Sequence, residues 1–179
     1  MNAEDFLDKQ KSLFASHVDA CKRAVSAFAD EQFAIAPEPG VWSVGQVFEH
    51  LNLSIEPYIA GMGAAAARAP KDGGAEPRKS FLGRFIYGAL SEKRAVPVPG
   101  GFRPNGLGSR KDYERYLENA ERFLTLFDDA KGKDLNGATF QNPILPLFKM
   151  NLTDGFSIMT AHGAYHQQQI EERAAKVKG

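Results

Sequence analysis

The stretch TDGFSIMTAHGAYHQQQIEERAAKVK, residues 153–178, carries two histidines, His162 and His166, four residues apart. In an α-helix that spacing places both side chains on one face, with Cβ atoms about 5–6 Å apart. Two imidazoles so placed can bind one metal ion, although a chain with four histidines produces such a pair easily by chance. The stretch therefore predicts a final amphipathic helix, with Thr153 as its N-cap, that needs a third ligand from elsewhere.

Composition excludes several classes of protein. The chain has 179 residues, of which 43% are hydrophobic and 25% charged, and no apolar run of about 20 residues. Its net charge of zero gives no general reason to bind nucleic acid or a membrane. The single cysteine, Cys21, excludes an intramolecular disulfide and, with the polar start of the chain, favours a cytoplasmic location. The length predicts one domain, residues 1–179.

The charge is unevenly distributed. Residues 68–111 contain ten Lys or Arg and three Asp or Glu, a local net charge of +7. Such a segment either pairs with acidic helices as a solvated loop region or attracts an anionic substrate.

Three more amphipathic helices precede the last one. The first runs from Glu4 to about Gln32, and apolar residues recur along it every three or four positions. The second begins at Ser43, an N-cap that forms a capping box with Gln46, and has the cleanest apolar stripe in the chain. The third begins near Ser109. These patterns predict an all-α four-helix bundle.

The remaining segments are connectors. Residues 70–108 are rich in Pro and Gly and form a long crossover insertion between helices two and three, with a short helix predicted over residues 80–94. The sequence FQNPILPLFKMNL, residues 140–152, is expected to be an extended connector. No segment shows the alternation that predicts a strand.

His50 is the candidate for the third ligand, because it lies at the edge of the buried stripe of helix two. Three neutral imidazoles suit Zn, Ni or Fe. Gln46 and Gln169 lie one turn from His50 and His166, so they are candidates to orient the ligands. The motif HGAYH lacks the glutamate of HExxH proteases, and no histidine follows a Glu-x-x pattern typical of di-iron bundles.

Two segments, WSVGQVFEHL in helix two and HGAYHQQQIEE in the last helix, resemble the hallmark segments of the DinB-like (YfiT-type) superfamily of metalloenzymes. The resemblance implies a four-helix bundle with a divalent metal held by one histidine of helix two and two of helix four. The matching positions here are His50, His162 and His166. The family includes thiol-dependent S-transferases and isomerases, hydrolases and members without known activity.

The leading hypothesis is a metal-dependent enzyme that activates water or a low-molecular-weight thiol against a small-molecule substrate, as a hydrolase or S-transferase. One alternative is a non-catalytic small-molecule binding or stress-response protein with a structural or vestigial metal site. Another is a helical dimerisation module, with Phe6 and Leu7 as exposed contacts of a homodimer. A Cys21–His17 nucleophile is disfavoured, since Cys21 falls in an apolar stripe. Tyr165 is expected to pack away from His166.

Overall fold

The computed structural model describes residues 1–71, 75–92 and 97–178. Its elements in chain order are α1 (Ala3–Val25), a short 3₁₀ helix (Asp30–Ala34), α2 (Val44–Arg68), α3 (Phe81–Ser91), a second 3₁₀ turn (Gly100–Phe102), α4 (Arg110–Asp129), β1 (Thr139–Gln141), β2 (Lys149–Asn151) and α5 (Leu152–Lys178).

The four long helices form a bundle. Helix α2 packs against α4 and α5, and α1 packs against the same two helices from the other side. Aromatic rings fill the interior: Phe14 of α1 meets Phe123 of α4 at 4.8 Å between centroids, and Phe127 stacks on Phe156 of α5 at 4.4 Å. The predicted all-α four-helix bundle, with its crossover between the second and third long helices, is confirmed.

Helix α2 begins where the sequence predicts. Ser43 Oγ accepts a hydrogen bond from the Gln46 backbone N–H at 3.1 Å, and Gln46 Oε1 accepts from the Ser43 N–H at 2.9 Å. This capping box satisfies two backbone donors that the first turn leaves unpaired. Further along α2, His50 lies on the inner face with 4% of its surface exposed.

The last part of the insertion runs back along the start of α2. Ser43 Oγ donates to the Leu107 carbonyl at 3.0 Å, and the Glu49 carboxylate accepts from the backbone N–H of Asn105 at 2.9 Å. Gly108, with a φ of +79°, approaches so closely that a Cβ on it would lie 2.2 Å from the Gln46 nitrogen. The insertion is thus fastened to the helix that carries His50.

Helix α3 belongs to the same insertion and packs against α5. Its N-cap is Ser80, whose side chain accepts from the Gly83 N–H. The Asp154 carboxylate at the start of α5 accepts from the Ser80 backbone N–H at 2.8 Å. The predicted short helix over residues 80–94 is therefore present, although its last predicted residues and residues 72–74 lie outside the described part of the chain.

Three local predictions were wrong. The connector over residues 140–152 contributes to a small antiparallel hairpin, in which Phe140 pairs with Met150. Helix α5 begins at Leu152 rather than after Thr153, because the Asn151 side chain accepts from the Asp154 N–H and the Asp154 carboxylate accepts from the Asn151 N–H. Helix α1 ends at Val25, and the following chain turns into the 3₁₀ helix to bury Phe33.

The expected exposed dimer contacts were also wrong. Phe6 is 4% exposed and Leu7 is fully buried, because both pack into the core beneath α1. They are therefore unable to serve as an intermolecular surface in the folded chain, and the homodimer stays a prediction without this support. None of the helices within the described residues is both long and apolar enough to cross a membrane.

Candidate metal centre

Three histidines from two helices converge in the interior of the bundle. One nitrogen from each of His50, His162 and His166 lies within 4.8 Å of the other two. The Nε2 atoms of His50 and His162 are 3.2 Å apart. Two nitrogens bound at about 2.0–2.1 Å to one tetrahedral ion are separated by about 3.3–3.4 Å, so this spacing is close to that of a metal site. Within the described residues, this is the group of side chains that meets the geometric requirement for a metal.

His50 has a defined tautomer. Its Nδ1 lies 2.6 Å from the backbone carbonyl oxygen of Phe102, which is only an acceptor, so Nδ1 must carry the proton. Its Nε2 therefore presents a lone pair towards His162. A ligating histidine is commonly oriented by such a bond from its other ring nitrogen. Here the acceptor comes from the crossover insertion rather than from the bundle.

His166 is held in the same way. Its Nδ1 donates to Gln169 Oε1 at 2.9 Å, which leaves its Nε2 as the free nitrogen. The sequence-based expectation that Gln169 contacts His166 agrees with this bond. Gln46, the other candidate, uses its amide elsewhere: Oε1 closes the capping box and Nε2 donates to the Gly106 carbonyl at 2.9 Å. Gln46 therefore binds the insertion, one turn from His50, which it was expected to orient.

His162 has another histidine as its partner: its Nε2 lies 3.2 Å from the His50 Nε2 lone pair, so without a metal this nitrogen carries the proton. Its Nδ1 is buried and has no hydrogen-bond partner in the described part of the chain. Its ring lies 4.5 Å from that of His166 and 5.2 Å from that of His50, measured between centroids. It is thus positioned by its helix and by the two neighbouring rings.

The surroundings keep all three imidazoles neutral. Burial lowers the pKa of His50, although the bond to the Phe102 carbonyl opposes this. Burial, and then the charges of His166 and His50, hold the pKa of His162 well below its usual value. Burial and the His50 charge lower the pKa of His166 to about 3. Neutral imidazole is the form that binds a metal, so the residues present fit a divalent transition metal with nitrogen ligands.

A large cavity adjoins the histidines. Its volume is about 930 Å³, and its wall combines the bundle with the insertion, including Trp42, Phe85, Phe102, Ile144 and Met159. Helix α3 forms one side of it, so the insertion supplies much of the wall. A concave apolar space beside a few converging polar groups is typical of small-molecule sites.

Two residues of α5 at this cavity had no assigned role in the sequence interpretation. Tyr165 lines the cavity, and its ring meets that of His166 edge-on at 4.9 Å, so the expectation that it packs elsewhere was wrong. Arg173 also lines the cavity, two turns beyond His166. The sequence does indicate that Arg173 lies near the site, because its position falls on the same helix face as His162 and His166.

The Cys21–His17 pair does not form a nucleophile. Cys21 is 1% exposed, and burial together with the negative charge of Glu171 raises the pKa of its thiol to about 12. The His17 Nδ1 lies 2.8 Å from Gln167 Oε1 instead. This fourth histidine is therefore separate from the three that converge.

Comparison with known proteins identifies the family. No match is found among curated proteins. Among solved structures, the chain is similar to YfiT from Bacillus subtilis, with 17% sequence identity and a TM-score of 0.59, over 96% of this chain and 87% of YfiT. That protein is described as a probable metal-dependent hydrolase with an unusual four-helix bundle topology. The model of the DinB superfamily matches residues 13–170, and the chain therefore belongs to that superfamily.

Proposed function

We propose that the chain is a metal-dependent hydrolase that holds one divalent transition metal on the Nε2 atoms of His50, His162 and His166. The observation that carries the proposal is the pair of bonds from His50 Nδ1 to the Phe102 carbonyl and from His166 Nδ1 to Gln169. Both bonds turn Nε2 lone pairs towards the point at which the three imidazoles meet. The description of YfiT as a probable metal-dependent hydrolase also supports the proposal.

The described residues at the cavity offer no carboxylate beside the histidines to act as a general base. Glu92, which lines the cavity, is exposed at the end of α3. A divalent metal on three neutral ligands would supply the missing activation, because it lowers the pKa of a coordinated water or thiol. The chain's own contribution is to hold the three nitrogens, to exclude bulk water with apolar walls, and to keep the ligands unprotonated.

The first test is metal content. Untagged protein should purify with about one equivalent of metal, and His50→Ala, His162→Ala and His166→Ala should each retain less than about a tenth of an equivalent. His17→Ala is the matched control, since His17 bonds to Gln167 outside the cluster and its loss should leave metal content unchanged. Equal metal in all four variants would contradict the proposal.

The second test separates reactions. Protein reconstituted with Zn²⁺, Ni²⁺ or Fe²⁺ is assayed with p-nitrophenyl esters, and with 1-chloro-2,4-dinitrobenzene plus a low-molecular-weight thiol. We expect ester hydrolysis that disappears in His50→Ala and persists in His17→Ala. Thiol-dependent conjugation without hydrolysis would assign the site to S-transfer instead. Stoichiometric metal with neither reaction would favour the non-catalytic binding protein.

A further inference from the structure

Arg173 is a cation in the wall of the cavity. It lies on α5, the helix of His162 and His166, and is partly buried. Its Nη1 atom is buried and has no hydrogen-bond partner in the described part of the chain. Its neighbour on α5, Glu172, is exposed and raises the pKa of Arg173 through its charge, but forms no ion pair with it among the described residues.

An unpaired guanidinium in such a place is energetically unfavourable. Burial lowers the pKa of Arg173, although electrostatic interactions with Tyr165 and Glu172 oppose this shift. A buried charge without a partner destabilises a fold unless an opposite charge or hydrogen-bond acceptors meet it. The other arginine at the cavity, Arg84, is exposed on α3 and is already solvated. Arg173 is thus a cationic side chain of the cavity wall with a guanidinium nitrogen, Nη1, that has no acceptor in the described part of the chain.

We propose that Arg173 binds the carboxylate of the substrate, so that the substrate is an apolar carboxylic acid derivative. The guanidinium forms two parallel hydrogen bonds with a carboxylate, and its single positive charge is matched by a single negative one. A phosphate dianion would leave one excess negative charge among the apolar side chains of the wall. The size and apolar lining of the cavity fit an aliphatic or aromatic body attached to the carboxylate.

The position of Arg173 also sets the distance between the carboxylate and the reactive group. Seven residues separate it from His166, about 10 Å along the helix axis. Side chains in a helix lean towards its N-terminus, so the guanidinium extends back towards the histidines. Arg173 and His166 both line the cavity. The substrate is therefore held by its carboxylate at one end and presents its reactive bond about one to two helical turns away.

The location of the reactive bond rests on the proposed function, but carboxylate binding by Arg173 does not. Carboxylate binding is therefore measured on metal-free protein. The probes are 3-phenylpropanoate and 3-phenylpropan-1-ol, which share an apolar body and differ in charge. Each is titrated into ¹⁵N-labelled protein, and dissociation constants are taken from the shifts of backbone amides around Tyr165 and Gln169, which line the cavity. The variants are Arg173→Gln, Arg173→Lys and, as the matched control, Arg84→Gln.

We expect the carboxylate to bind about tenfold or more tightly than the alcohol in the unsubstituted protein. The ratio should fall to near one in Arg173→Gln, recover in part in Arg173→Lys, and change less than about twofold in Arg84→Gln. Metal content of Arg173→Gln should stay that of the unsubstituted protein. An unchanged ratio in Arg173→Gln, or carboxylate shifts confined to residues outside the cavity, would overturn the inference. Absence of metal in every variant would overturn the proposed function while leaving this result intact.

Discussion

His50 Nδ1 donates to the backbone carbonyl of Phe102 at 2.6 Å, and this bond joins the inner face of the bundle to the crossover insertion. The insertion is held in place around it by the Glu49 carboxylate, which accepts from the backbone N–H groups of Asn105 and Gly106. Long connections between helices vary most freely in a bundle, but here such a connection helps to orient a proposed metal ligand.

Removing Glu49 should therefore weaken metal binding, although Glu49 itself does not face the cluster. In Glu49→Ala the backbone donors of Asn105 and Gly106 lose their acceptor, and the Phe102 carbonyl is held less firmly against His50. We expect metal affinity to fall about tenfold. Competition with a chromophoric chelator measures the change. Glu118→Ala, on an exposed face of α4, is the control and should bind metal like the unsubstituted protein.

The bond from His166 to Gln169 allows a sharper comparison within one helix. Gln169→Ala removes the acceptor of His166 Nδ1, which frees the ring to change tautomer, and should lower metal affinity by about 10–100-fold. Its exposed neighbour Gln168 provides the matched substitution, Gln168→Ala, which should have no effect. The same chelator competition reports both, and equal affinities would show that the bond has no orienting role.

The crossing of Gly108 over α2 predicts a large stability effect. In Gly108→Ala the new methyl group would lie 2.2 Å from the Gln46 nitrogen, at a φ of +79° that L-residues disfavour. Strain and overpacking together should lower the free energy of unfolding by at least about 2 kcal/mol. Gly100→Ala, where a methyl group meets nothing within 4 Å, should change it by less than about 0.5 kcal/mol. Urea denaturation followed by circular dichroism distinguishes the two.

Cys21 should be inert in the folded protein over the ordinary pH range. Since burial raises the pKa of its thiol to about 12, about one molecule in ten thousand carries the thiolate at pH 8. Reactivity towards 5,5′-dithiobis(2-nitrobenzoate) should thus be negligible at pH 8 and increase only as the pH rises towards 12 or the protein unfolds. In guanidinium chloride the pKa returns to about 8.5 and one thiol should react at once. Rapid stoichiometric labelling of folded protein at pH 8 would contradict the burial of Cys21.

The parts of this fold that follow local rules could be predicted from the sequence. The Ser43–Gln46 capping box and the apolar stripes depend on residues three and four apart, so helix starts and inner faces are visible in a single segment. The convergence of His162 and His166 with His50 followed from those faces. The hairpin escaped detection because its strands have three residues each, too few to show alternation.

Contacts between segments distant in the sequence could not be predicted from it. The acceptor of His50 is a backbone carbonyl 52 residues away, and no residue type marks it. The sequence predicts Thr153 as the N-cap of α5, because a Thr hydroxyl can accept from a backbone N–H three residues on. In the structure Asn151 caps the helix instead, through reciprocal bonds with Asp154. Arg173 shares the inner face with the histidines, but only the structure shows that it lines the cavity and that its Nη1 lacks a hydrogen-bond partner.

The shared use of the insertion has a thermodynamic consequence. The segment that ends at Phe102 both orients His50 and forms a wall of the cavity, so the proposed metal and substrate would both favour one arrangement of this segment. Two ligands that favour one arrangement raise each other's affinity by equal factors. If the proposed function holds, the crossover would link the two sites, so that an occupied cavity would retain its metal and an empty one would release it more readily.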